Sequence, residues 1–187
     1  FTALGTLPQS DGFQTGGRTM SQAVTAAHSS VIERLHTAYL AALDQGDMAA
    51  WAATFAVADE TSYFCISAEN DRRGLPLALM YDDCRGRIDD RVSFVTKVWV
   101  GTYQPYRTRH FIQRLSCESA GNNQYRVISG FMIMMTPEGG ATTILTSGEY
   151  RDLIELQGEG DKVRAVFRER RAVYDADVLP RYIVFPF

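Results

Sequence analysis

Four long segments of strand character, separated by turns rich in glycine and asparagine, constrain this chain more than any other feature. They run roughly from Arg107 to Glu118, Gln124 to Thr136, Ala141 to Leu156 and Lys162 to Tyr174. The stretches between them, Ala120-Gly121-Asn122-Asn123, Pro137-Glu138-Gly139-Gly140 and Gly158-Glu159-Gly160-Asp161, hold residues that tolerate positive φ. Consecutive strands are therefore expected to pair as antiparallel hairpins. Gly130 and Gly148 interrupt otherwise strong strand patterns, and they are expected to mark bends in a curved sheet.

The cover for such a sheet must come from upstream. Ser30 with Glu33 reads as a capping box, Val31, Ile32, Leu35, Tyr39, Ala42 and Leu43 recur at helical spacing, and Gly46 supplies a stop. Asp47 is placed to cap a second helix with Trp51 and Phe55 inward. Thr61 to Ile66 reads as a strand, and Leu75 to Met80 as a short apolar segment after an Arg72-Arg73-Gly74 turn. Asp82 or Asp83 is expected to cap a third helix that buries Ile88, Val92, Val95 and Trp99.

Helices followed by an antiparallel meander make an α+β protein. A long curved sheet wrapped around helices forms a cone, the fold of ketosteroid isomerase and scytalone dehydratase. Residues 21–187 are read as one such domain. Residues 1–20, with four glycines and no sustained periodicity, read as an extended arm or a tag remnant. As a genuine arm, its Phe1, Leu4, Leu7 and Phe13 would lie along a neighbouring subunit.

Charge narrows the function. The formal net charge of the 187 residues is -3, with 22% charged residues of both signs, so no basic field draws the chain to nucleic acid or to anionic lipid. No apolar run reaches the eighteen or more residues of a spanning helix, and no basic-then-apolar leader opens the sequence. The expected location is cytoplasmic. Cys65, Cys84 and Cys117 are odd in number and far apart, which fits neither a disulfide framework nor a paired-cysteine zinc site. His28 and His36 lie about 80° apart around one helix, while His110 sits on a strand. No metal or cofactor site is expected in this chain.

Acids and arginines are concentrated in the segment Tyr81 to Ile112, YDDCRGRIDDRVSFVTKVWVGTYQPYRTRHFI, and in Arg168-Glu169-Arg170-Arg171, which is followed by Val173, Asp175 and the apolar run Tyr182 to Pro186. Alternation places Arg107 with Arg109, and Arg168 with Arg170, on shared strand faces. Arginine forks mixed with carboxylates suit a subunit interface, so Asp82, Asp83, Arg85, Asp90, Arg91, Arg107, Arg109, Arg168, Arg170 and Arg171 are the interface candidates. The competing reading is an enzyme working inside the cone, with His110, Tyr63 and Glu149 as its acid-base groups and Tyr150, Asp83 and Glu169 beside them. The sequence leaves open which way His110 faces. Its expected surroundings are an ionic network with Arg109 and Asp90 or Glu149.

The two charged blocks resemble the β (small) subunit of the Rieske-type aromatic-ring-hydroxylating dioxygenases. In that family a D-S-R-G-like turn opens a helix carrying D-R, and an R-x-R-H strand follows. Asp83, Cys84, Arg85, Gly86, Asp90, Arg91, Arg107, Arg109 and His110 match that order. Cys84 departs from the common serine and is expected to be a weaker cap, leaving the helix to Asp82 or Asp83. The Ser93 to Tyr103 segment is also less polar than in many relatives, a difference that bears on large-subunit contacts.

The resemblance implies the cone fold and a mainly structural role beside a large (α) subunit that carries the Rieske iron-sulfur cluster and the non-haem iron. It also implies a hexamer of three large and three small subunits, the small ones forming a trimer, fed with electrons from NADH or NADPH through a reductase. Ser147-Gly148-Glu149-Tyr150 is most similar to the branch acting on aromatic carboxylates such as terephthalate, benzoate or anthranilate.

Overall fold

The computed structural model describes residues 24–187; the expected arm lies outside the described residues. Helix α1, Ala26–Gln45, begins earlier than its apolar stripe indicates, because the Thr25 side chain accepts a hydrogen bond from the His28 N–H at 3.2 Å. The Ser30–Glu33 box does not form. Ser30 instead accepts from Arg34 at 2.9 Å, and Glu33 pairs with Arg114 at 3.1 Å. Gly46 ends the helix at φ 70°, and Asp47 caps α2, Met48–Ala53, through the Ala50 N–H.

Strand β1, Ser62–Ser67, leads into a short helix α3, Ala68–Arg72, that the sequence reading missed. Strand β2, Ala78–Asp82, precedes α4, Arg85–Ser93, which continues as one π-helical turn over Phe94–Val98. Neither expected aspartate caps α4. Cys84 occupies the cap position without a side-chain bond, the Arg85 N–H donates to the Asp59 carbonyl at 3.1 Å, and Asp82 and Asp83 are held by arginines. Ile88 and Val95 are buried as expected, while Val92 and Trp99 pack at the margin of the core.

Strands β3 (Tyr106–Gly121), β4 (Gln124–Pro137), β5 (Thr143–Gln157) and β6 (Arg164–Tyr174) form the expected meander. The six strands make one curved, open sheet in the order β2-β1-β6-β5-β4-β3. One pairing corrects the all-antiparallel expectation: β1 runs parallel to β6, with Tyr63 opposite Arg170. Register shifts at Arg114/Ser116, Ile133/Met134 and Leu153/Ile154 supply the local bends expected of bulges. The two strand glycines differ in what they do. A Cβ on Gly148 would sit 2.1 Å from the Val173 carbonyl oxygen and 2.7 Å from Phe131, so glycine there permits close strand approach, whereas one on Gly130 would meet only Leu115 at 4.0 Å.

The concave face closes over α1 and α2. Ile32, Leu35, Tyr39, Leu43, Trp51 and Phe55 are buried against Tyr63, Phe131, Tyr150, Ile154 and Phe167. Trp51 lies edge-on to Phe55 and to Tyr63 at 5.0 and 5.4 Å, contacts worth about 0.5–1.5 kcal/mol each beyond burial. No helix among the described residues is long and apolar enough to cross a membrane.

Candidate functional site

The interior of the cone is occupied by a side chain. Arg170 is wholly buried, its guanidinium carbon 3.8 Å from the ring centre of Tyr150, 3.9 Å from Tyr39 and 4.3 Å from Phe167. Strong cation–π packing of this kind compensates part of the desolvation of a buried guanidinium. A bulge sets the arrangement up. Leu153 pairs with Glu169 but Ile154 pairs with Phe167, so Arg168 is an extra residue and Phe167 and Arg170 both turn inward. This corrects the expectation that Arg168 and Arg170 share a face and that Arg170 is available to a partner.

Asp152 answers that charge. Its Oδ1 lies 3.4 Å from Arg170 Nε, close enough for charge pairing but not aligned as a hydrogen bond, and its Oδ2 contacts His36 Nε2 at 3.2 Å. His36 in turn stacks on Phe167. Among the described residues, Arg170 Nη1 and Nη2 and the Tyr150 hydroxyl have no hydrogen-bond partner.

The surrounding phenols are held neutral. Burial pushes Tyr39 up to about 12 against the pull of Arg170, and burial likewise raises Tyr63 and Tyr150 well above the usual tyrosine value. The Cys65 thiol is raised by burial too. Groups of this kind neither accept nor release protons near neutrality.

The acid-base candidates do not converge. Tyr63 sits in the core with its hydroxyl accepting from the Phe187 N–H at 2.9 Å. Glu149 points away from the core and pairs with Arg151 at 2.7 Å. His110 faces α1, and its Nδ1 contacts Asp44 Oδ1 at 2.7 Å, so the expected partners Arg109, Asp90 and Glu149 are replaced by an aspartate at the end of α1. Its Nε2 is buried and has no partner among the described residues. One surface hollow of about 370 Å³ lies between Pro105–Arg107 and Thr136–Gly140.

The interface candidates divide by environment. Arg91 forms a fork to Asp82 at 2.5 and 2.7 Å, both side chains largely buried. Arg85 bridges Asp89 and the carbonyls of Ala52, Phe55 and Ala56, tying α4 to the end of α2. Asp83 pairs with Arg87 at 3.1 Å, Arg168 lies between Glu60 and Glu155 at 3.6 Å, and Arg171 is bound to Asp71 at 2.7 Å. Asp90, Arg107 and Arg109 are exposed. Sequence reading missed Asp44, Asp71 and Asp152, whose contacts with His110, Arg171 and His36 span 66, 100 and 116 residues; no local spacing signals those contacts.

Among the described residues no three His, Cys, Asp or Glu side chains converge as a metal-ligand set. His36 and His110 contact aspartates, His28 contacts the Tyr125 hydroxyl, and the three cysteines are free and separate. The donors present do not fit a Rieske cluster or a mononuclear iron.

A curved open sheet closed over helices, with its interior packed, defines a cone-type α+β protein. Residues 39–181 match the ring hydroxylating beta subunit family, and the chain belongs to that family. Among solved structures it is similar to a beta subunit assigned to an aromatic-ring-hydroxylating dioxygenase of Novosphingobium aromaticivorans, at 27% identity over 85% of this chain and 95% of that one, with a TM-score of 0.70. The beta subunit of benzoate 1,2-dioxygenase from Burkholderia mallei shares the fold at 18% identity, 87% and 99% coverage and a TM-score of 0.64. A protein assigned as a scytalone dehydratase, also from N. aromaticivorans, shares it at 16% identity, 83% and 91% coverage and a TM-score of 0.58. No curated sequence matches the chain.

Proposed function

We propose that this chain is the structural small subunit of the oxygenase component of a bacterial aromatic-ring-hydroxylating dioxygenase. In this reading it is cytoplasmic and serves the catabolism of aromatic compounds. It supports a large subunit that carries the Rieske cluster and the non-haem iron, in a hexamer of three large and three small subunits, and supplies no catalytic group itself. The observation that carries the reading is the filled cone. Arg170, Asp152 and His36 occupy its interior with Tyr39 and Tyr150 around them, Tyr63 is buried in the same core with its hydroxyl on the Phe187 backbone, and His110 and Glu149 are paired with Asp44 and Arg151 instead. The Ser147 to Tyr150 sequence supports an aromatic carboxylate substrate for the assembled enzyme.

The test is co-expression with the cognate large subunit, measuring NAD(P)H-dependent turnover per assembled complex and quantifying assembly by size-exclusion chromatography. His110→Ala and Tyr63→Phe should lower total activity only as far as intact complex is lost. A drop of about a hundredfold at full assembly and normal iron content would overturn the scaffold role in favour of a catalytic cone.

A further inference from the structure

We propose that residues 175–187 form a latch whose Phe187 occupies a ligand pocket in the cone interior, and that opening the latch uncovers a site for a small aromatic acid or amide. The ligand class is an aromatic ring on a short aliphatic chain that ends in a carboxyl or carboxamide group. Every contact involved lies within one chain, so the site holds whether or not the small-subunit reading does.

Phe187 is held as a ligand would be. It is 1% exposed, and its ring stands edge-on to Tyr174 with centres 5.7 Å apart. Its carbonyl oxygen accepts from the Tyr39 hydroxyl at 2.5 Å and lies 3.4 Å from the Tyr63 hydroxyl, which accepts from the Phe187 N–H at 2.9 Å. Ring, carbonyl and N–H of one residue are each matched by a buried side chain. Both phenols also border Arg170: Tyr63 is its register partner, and its guanidinium carbon lies 3.9 Å from the Tyr39 ring centre. Arg170 Nη1 and Nη2 have no partner among the described residues. A carboxyl group placed where the Phe187 carbonyl now sits meets hydroxyl donors with a buried cation close behind them. An aromatic wall with a few convergent polar groups is the usual make-up of a small-molecule site.

The segment that carries Phe187 is built to come away. The Asp175 N–H donates to the Ser147 carbonyl at 2.9 Å, and beyond it no main-chain group of residues 176–187 bonds to another main-chain group among the described residues. Side chains do the fastening. The Tyr106 hydroxyl accepts from the Val184 and Phe185 N–H groups at 3.3 and 3.5 Å. Further out, the Tyr182 hydroxyl accepts from the Gln104 N–H and Arg181 donates to the Gln104 carbonyl, both at 3.0 Å, with Tyr182 itself 50% exposed. A segment secured by a few solvent-facing contacts opens locally while the strand ladder stays closed. The Arg181–Tyr182–Gln104 clasp is separate from Tyr39, Tyr63 and Tyr174, the side chains that touch Phe187. A ligand that binds only the open state has its affinity reduced by the fraction open, so the clasp sets how well the pocket competes for it.

Calorimetric titration of the full chain with 3-phenylpropanoate tests the proposal, since this acid has the ring, spacer and carboxyl of a phenylalanine residue. Hydrogen exchange of the Val184 and Phe187 amides by NMR reports the latch, and circular dichroism checks the fold. Tyr182→Phe and Arg181→Gln should each tighten binding about tenfold although neither residue touches the pocket, and bound ligand should remove the protection of the Phe187 amide. 3-Phenylpropanamide should bind as well, whereas propylbenzene, with the same ring but no carbonyl, should bind about tenfold more weakly. Four results would each overturn the proposal: no saturable binding to either folded clasp variant at millimolar ligand, equal affinity in variants and wild type, propylbenzene binding as tightly as the acid, or a Phe187 amide that stays protected in the complex.

Discussion

Arg170 Nε lies 3.4 Å from Asp152 Oδ1, and neither side chain reaches solvent. A pair this deep contributes little net stability as a pair, because both ions are desolvated, yet removing one partner leaves the other charged and alone. Arg170→Ala and Asp152→Ala should therefore each cost about 3–5 kcal/mol in urea denaturation. Replacing both with apolar residues of similar volume, Arg170→Met with Asp152→Leu, should cost less than the sum of the single losses, since no lone charge remains, even though the cation–π contacts of Arg170 and the His36 contact of Asp152 are forfeited. Additive losses would show that the two groups are energetically independent.

Asp71 joins three elements, accepting from Arg151 on β5 at 2.6 Å and from Arg171 on β6 at 2.7 Å while it sits on α3. Burial alone would raise its pKa, but the bonds from Arg171 and Arg151 outweigh that and hold the carboxyl below its usual value. A folded pKa below the unfolded one gives stability that is fully present above about 3.9 and is lost as pH falls through the folded value. Asp71→Asn should cost about 1 kcal/mol at pH 7, below the usual range for charged hydrogen bonds because Arg151 is half exposed and the pair is screened by solvent. The gap between variant and wild type should shrink as the pH is lowered below 4. A gap that persists unchanged would assign Asp71 a packing role instead.

The meander was legible because its turns carry their own chemistry: Gly121, Asn122, Asn123, Gly139, Gly158 and Gly160 all adopt positive φ. The start of α1 was not, since Ala26, Ala27 and His28 lack an apolar rhythm and Ser30 with Glu33 imitates a cap inside the helix. Arg170 was misread for a different reason. Arg-Glu-Arg-Arg looks like a solvated strand face, and only the bulge opposite Leu153/Ile154 and the parallel pairing with β1 turn its third residue into the core. Both depend on contacts far away in sequence, as do the Asp44–His110 and Asp71–Arg171 pairs.

Buried phenols give the last prediction. Tyr39 is pushed up to about 12, and burial also raises Tyr63 and Tyr150 well above the usual tyrosine value, whereas unfolded tyrosines ionise near 10. A group whose folded pKa is raised contributes stability that is whole below the unfolded value and is lost as pH rises toward the folded one. Alkaline unfolding should thus begin above about pH 10 and be driven partly by these three rings. Of the nine tyrosines, three should stay silent in a tyrosinate absorbance titration until the far-ultraviolet circular dichroism collapses, then ionise together. Tyr39→Phe should reduce that late step by one residue while also removing the bond from the Tyr39 hydroxyl to the Phe187 carbonyl. Nine tyrosines titrating in a single wave near pH 10, with secondary structure intact, would mean that solvent reaches the cone interior. The same result would remove the packed interior on which the structural role is argued.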